Sequence, residues 1–286
     1  MKRYLSYFYI LLAGTLWGVI GLFNRSLTSG GFSSISIVLV RNFGSLIALG
    51  LIFLIFDRSI FQIKLKHLPY FFGTGIISIL LFTLCYFTCQ QQCSLATAAI
   101  LLYTAPTFVV ILSAILWKDK VTKRKVAALV ITFLGCTFVT GVWSGNFTVT
   151  LVGLLLGIGS GFFYALYSIF ARYALEHYKP LTVTFYTFVF AGIGSLALIR
   201  PEELSVAFVQ PKLLGVIAAL IVVSTVLPYI LYTRGLSKID SGKASILASI
   251  EPIVASIVGI LAFGEPMTVS VVLGLLCILV SVYILR

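Results

Sequence analysis

Long apolar runs, parted by short polar or basic stretches, fill the chain from Phe8 to Leu285. A membrane-crossing helix needs about 20 mostly apolar residues. Ten runs are close to that length: Phe8–Leu27, Ser34–Phe56, Pro69–Gln90, Ala96–Trp117, Lys125–Val142, Leu151–Leu175, Leu181–Ile199, Leu213–Gly235, Gly242–Phe263 and Thr268–Leu285. In lipid every backbone N–H and C=O needs an internal partner, which a helix supplies, and the runs are too long for barrel strands. The pattern predicts an all-α integral membrane protein of ten transmembrane helices, with no segment long and polar enough for an extramembrane domain. Met1-Lys2-Arg3 and the run behind it resemble a signal sequence. The length of that run, and the nine that follow, predict a retained first span.

Composition agrees. Of 286 residues, 60% are hydrophobic and 10% charged, with a mean hydropathy of +1.13; a soluble domain carries about 25% charged residues. The net charge of +12 would suggest nucleic acid in a soluble protein. Here no basic stripe with aromatic stacking partners exists, and the cations sit in the short loops. With the N-terminus in the cytoplasm, sixteen of the twenty Lys and Arg fall on the cytoplasmic side, three (Arg25, Arg200, Lys212) outside, and Arg41 within the second span. That asymmetry is the positive-inside signature. It predicts a multi-pass protein of the cell (inner) membrane with both termini cytoplasmic.

The chain also repeats itself. A shift of 146 residues lays Tyr86 on Tyr232, Ala98 on Ala244, Pro106 on Pro252 and Thr122 on Thr268, nine identities in the 49 positions from Cys85 to Phe133, and brings Asp119 onto Glu265. A shift of 147 lays Gly14 on Gly161, Phe23 on Phe170 and Arg25 on Arg172, with Trp17 facing Tyr164. The repeats are 1–142 and 143–286, five spans each. An odd number inserts the two copies in opposite senses, so two inverted five-helix repeats are expected. Inverted repeats are common in secondary transporters, with the binding site near the midplane between the copies.

Span interiors hold two charges, Arg41 and Glu251. A charge at the bilayer centre costs about 2.5–3.5 kcal/mol on insertion scales and is a functional candidate by default. Glu251 directly precedes Pro252, whose missing N–H frees a carbonyl one turn earlier. The carboxyl there can bind a cation, a substrate amine or a proton, or simply donate a hydrogen bond between helices. Arg41 can meet a substrate carboxylate, pair with Glu251, or snorkel to the surface. Trp17, Tyr86, Tyr103, Tyr164, Tyr167 and Tyr232 offer apolar walls with polar tips, suited to an organic solute; plain packing is the alternative for each. Pro106 and Pro252 mark bent, gating elements of spans 4 and 9. Gln90, Gln91 and Gln92 are expected to form a loop. Cys85, Cys89 and Cys93 share a helix face, where packing is the simpler reading than a thiol metal site. Gly14 and Gly18, with Gly153, Gly157 and Gly161, allow close helix contacts.

No metal or phosphate motif and no nucleophile–base pair is present, so the sequence points away from an enzyme, a primary pump and any cofactor. A channel or lipid scramblase is the alternative to a carrier. Monomer is the default, since ten spans can enclose a cavity.

At these residues the chain resembles the drug/metabolite transporter superfamily, of the ten-span EamA type. The marks are Trp17-Gly18, Arg41, Pro106, Tyr164 through Arg172, Glu251-Pro252 and Gly264-Glu265, with Asp119 where the family usually has Glu. The resemblance covers the whole chain. It implies secondary transport of small organic solutes by alternating access, often export of amino acids or related metabolites, through a central cavity walled by both halves. The small four-span multidrug relatives carry an acid in their first helix; span 1 here has none, so their proton-coupling scheme does not transfer.

Overall fold

The computed structural model describes residues 2–92, 95–140, 150–199 and 211–285. Met1, Cys93, Val142, Arg200, Arg286 and the junction of the repeats at 142/143 lie outside them. Among the described residues all regular structure is helical. The first long helix is α1 (Lys2–Gly18) continued by α2 (Ile20–Ser29), and the second is α3 (Ser34–Phe56). The third joins α4 (Leu68–Phe72) through a π-helical stretch, Gly73–Leu80, to α5 (Leu81–Gln92). The fourth is broken into α6 (Leu95–Leu102) and α7 (Ala105–Trp117), and α8 (Lys123–Val139) closes the first repeat. The second repeat holds α9 (Leu151–Leu175) and α10 (Pro180–Ser195). Then α11 (Pro211–Ile221) leads through a π-helical stretch, Val222–Val226, to α12 (Leu227–Leu236). Last come the broken pair α13 (Ser241–Ala248) and α14 (Glu251–Phe263), and α15 (Val269–Ile284).

Eight of these long helices have the length and apolarity to cross a membrane. The helices α8 and α15 are shorter, 17 and 16 residues, and lie against each other. Gly135 and Gly274 set their backbones close, and Thr132 Oγ1 donates to Ser281 Oγ at 2.8 Å. The expected bounds of spans 2 and 6 coincide with α3 and α9, because Ser33 and Thr150 cap them by accepting from the N–H groups of Ser36 and Gly153. Instead of the expected loop, Gln90, Gln91 and Gln92 continue α5. Helical pairing keeps their backbone groups satisfied, and Gln90 lines a largely aromatic-walled cavity.

The repeat is visible in the backbone. Helix α6 ends at Leu102 and α7 starts at Ala105; α13 ends at Ala248 and α14 starts at Glu251, each bound displaced by 146. The two π-helical stretches end at Leu80 and Val226, again 146 apart. Pro106 and Pro252 are each the second residue of the helix after the break, where a missing N–H costs nothing.

Packing crosses between the repeats. A Cβ at Gly14 of α1 would come within 2.7 Å of the Ala248 carbonyl oxygen, and one at Gly161 of α9 within 3.0 Å of the Leu101 carbonyl oxygen. Helix 1 of each repeat thus lies against the break in helix 4 of the other. The largest buried cluster fills the space beside α1, around Trp17, Tyr167, Phe188, Tyr229 and Tyr232.

Candidate functional site

The breaks in helices 4 and 9 put polar groups where a continuous helix would have none. Glu251 stands first in α14, where the helix dipole favours a negative charge. Gly18 has no side chain to hold α1 away, and a Cβ there would meet the Glu251 carbonyl at 2.8 Å. Tyr103 lies in the matching break of helix 4.

These breaks face a cavity of about 370 Å³. Six of the eight expected residues line it: Trp17, Arg41, Tyr86, Tyr103, Tyr164 and Glu251. Arg41 enters from α3 with Nε and Nη2 buried and without a hydrogen-bond partner. Neither a hydrogen bond nor an ion pair joins it to Glu251 among the described residues, although both line the same space. The expected alternatives of an Arg41–Glu251 pair and of snorkelling are therefore not what the side chain does. The cavity reaches the surface beside Asn24, Ser34 and Arg25, whose side chain is 55% exposed.

Tyr167 and Tyr232 do not line the main cavity; with Ser168 they lie behind Trp17, Tyr164 and Tyr229 around a space of only about 10 Å³, and this layer is the cavity's floor. Tyr167 OH bonds Thr233 Oγ1 at 2.7 Å, and Ser168 Oγ bonds Tyr232 OH at 2.8 Å. Trp17 lies on Tyr229 and Tyr232, with ring centroids 5.2 and 5.4 Å away. Trp17, Ile20, Gly21, Asn24 and Arg25 all line the cavity, whereas of their mates at 164, 167, 168, 171 and 172 only Tyr164 does. Tyr229, which joins floor to cavity, escaped the sequence reading, although it stands one turn before Tyr232 on α12.

Each face carries a matching ion pair between the repeats. Arg25 pairs with Glu265 and lies 4.1 Å from the Phe263 ring; Arg172 pairs with Asp119 and lies 4.3 Å from the Trp117 ring. Asp119 and Glu265 reach their partners because α7 and α14 end alike. A left-handed residue, Lys118 or Gly264, turns the chain, and the acid's N–H bonds the carbonyl six residues back, on Ser113 or Gly259. The Arg25 and Glu265 side chains are 55% and 45% exposed, those of Arg172 and Asp119 27% and 17%, so the second pair is the more deeply covered.

Beside the Arg172–Asp119 pair, Lys125 Nζ donates to Asp240 Oδ2 at 2.8 Å, and Asp240 caps α13 by accepting from the Lys243 N–H. Burial opposes ionisation of Asp240, but these bonds and the Lys125 charge outweigh it and hold the carboxyl below the usual carboxylate range. A depressed folded pKa gives stability present above the unfolded pKa and lost as pH falls through the folded one. Asp240→Asn keeps the cap and strands a buried ammonium on Lys125. It is expected to cost about 3–5 kcal/mol at neutral pH, read as a lower Tm whose fall with pH in the acid range is shallower than in the parent protein.

The remaining chemistry lies elsewhere. His67 and His177 stack with centroids 4.3 Å apart, away from the cavity. Cys89 is buried and donates to the Gly153 carbonyl at 3.2 Å. No group of three metal-ligating side chains gathers among the described residues.

A helical membrane protein with a sealed floor, a charged aromatic cavity and two repeats meeting around it is built as a solute transporter. The comparisons place it: residues 4–141 and 151–286 each match the EamA-like transporter family, and the chain belongs to that family. An uncharacterized transporter of Archaeoglobus fulgidus is 30% identical over 96% of this chain and 94% of its own length. The uncharacterized transporter YyaM of Bacillus subtilis is 28% identical over 96% and 92%. The uncharacterized inner membrane transporter YicL of Salmonella typhimurium is 28% identical over 96% and 93%. One crystal structure shares the fold with a TM-score of 0.80 at 17% identity, over 98% of this chain and 95% of that one.

Proposed function

We propose that the protein is a secondary transporter of amino acids or related small zwitterionic metabolites, working as an exporter by alternating access. One observation carries the substrate class: Arg41, with buried unpartnered nitrogens, and Glu251 line one aromatic-walled cavity without pairing to each other. A solute bearing a carboxylate and an ammonium a few atoms apart supplies the missing partner to both. Export follows the family resemblance. The sealed floor favours a carrier over a channel or scramblase, since a solute bound here cannot run straight through.

In this reading ten helices cross the inner membrane with both termini cytoplasmic, as two inverted repeats, 1–142 and 143–286. The Arg25 face is outside and the Arg172 face inside. Because helix 1 of each repeat is seated on helix 4 of the other, the bodies that rock mix both repeats. Pro106 and Pro252 fix the helix breaks about which they bend. The cavity is complete within one chain, which supports a monomer.

Ligand binding to the folded state raises Tm by linkage. Purified protein is expected to be stabilised by phenylalanine, but not by phenethylamine or 3-phenylpropionate, which lack one charge each. A panel of amino acids that leaves Tm unmoved while either single-charge analogue raises it contradicts the zwitterion reading.

A further inference from the structure

The floor is a closed gate, and the repeat says what its partner is. Helices α9 and α12 meet there through Tyr167 with Thr233 and Ser168 with Tyr232. Taking 147 from 167 and 168 gives Ile20 and Gly21; taking 146 from 232 and 233 gives Tyr86 and Phe87. All four of these mates line the cavity on its way from floor to mouth. Ser168 is buried, but a Cβ added at its mate Gly21 would meet nothing within 4 Å. The same positions bond to each other in one copy and line the cavity in the other.

Two similar sequences packed around one site have the same pair of conformations open to them. Exchanging the conformations between copies gives the other state of an alternating-access carrier. We propose that Ile20 and Gly21 of α2 close against Tyr86 and Phe87 of α5 to seal the Arg25 face, as Tyr167 and Ser168 part from Tyr232 and Thr233. This rests on the carrier reading above.

The two gates differ in chemistry. The floor has two side-chain hydrogen bonds, and beside the Arg172–Asp119 pair stands the Lys125–Asp240 ion pair. At the mates, Ile20 and Phe87 bring only apolar surface, and Gly21 offers Tyr86 no side chain. The mates of Lys125 and Asp240 are Val271 and Ser94, residue types that form no ion pair. The second gate is the weaker one, which accounts for a structure that is open at Arg25 and shut at Arg172. Bound solute, drawing α3 and α14 together through Arg41 and Glu251, then supplies what the second gate lacks.

The test uses full-length protein in membranes with its five cysteines replaced. A reporter, Ala99→Cys in the cavity wall, is labelled from either side with an impermeant maleimide. In the same background, Ile20→Cys/Phe87→Cys and Tyr167→Cys/Thr233→Cys are treated with a short bifunctional maleimide. Each pair is expected to cross-link when the reporter is left out, and in a protein carrying all four cysteines the two links should never form in the same molecule. Gly21→Ser needs no cysteine pair and gives Tyr86 the hydroxyl that Tyr232 has. One hydrogen bond's net worth should slow labelling from the Arg25 side about three- to tenfold and speed it from the other. A reporter that alternates between faces while 20–87 never links and Gly21→Ser changes nothing overturns the gate. Equal labelling from both faces at once overturns the carrier reading beneath it.

Discussion

Arg41→Lys is expected to raise the amino-acid concentration for half-maximal exchange by about 10–100-fold, with a smaller change in maximal rate. Arg41 presents Nε and Nη2 side by side, both buried and unpartnered. That planar fork matches a carboxylate with two parallel hydrogen bonds, and each bond to a charged group is worth about 1.5–3 kcal/mol. Lysine keeps the positive charge but brings a single, shorter-reaching point donor in place of the fork. The effect should therefore fall on carboxylate-bearing solutes and spare an amine that lacks the carboxylate. If the half-saturating concentration is unchanged while the protein stays folded, Arg41 does not touch the solute.

Glu251→Gln is expected to lower exchange of a zwitterion about 30-fold or more, with Tm shifted by only a few degrees. Glutamine keeps the volume at the head of α14, so the break and the contact with Gly18 persist. What it loses is the negative charge facing the solute's ammonium in a site shielded from water, where truncating one partner of a charged pair costs about 2–5 kcal/mol. If Glu251 only tied two helices together, the outcome would be reversed: a large fall in Tm with exchange retained. In the proposed site Arg41 and Glu251 would grip the same molecule, and the double variant should then lose less than the sum of the two single losses.

Apolar run length sufficed to place the helices, because a bilayer leaves the backbone so few options. Ser33 and Thr150 even fixed two helix starts to the residue. The glutamines after span 3 misled because polarity usually marks a loop, whereas Gln90 is polar for the sake of a cavity. Arg41 and Glu251 were legible as charges inside apolar runs. Their failure to pair was not, since it depends on how far apart α3 and α14 stand. Tyr229 hid among fourteen tyrosines, no different in type from those that only pack. The repeat showed which positions correspond; only packing showed that Arg25 meets Glu265 and Arg172 meets Asp119, each across the two copies.

Counterflow in proteoliposomes tests the central claim most directly. Vesicles loaded with unlabelled phenylalanine are diluted into a trace of the labelled compound, then into labelled 3-phenylpropionate or phenethylamine. The account predicts saturable, transient accumulation of the amino acid above equilibrium, and little for either single-charge analogue. Flux that rises without saturation and shows no counterflow, or equal exchange of all three compounds, would contradict it.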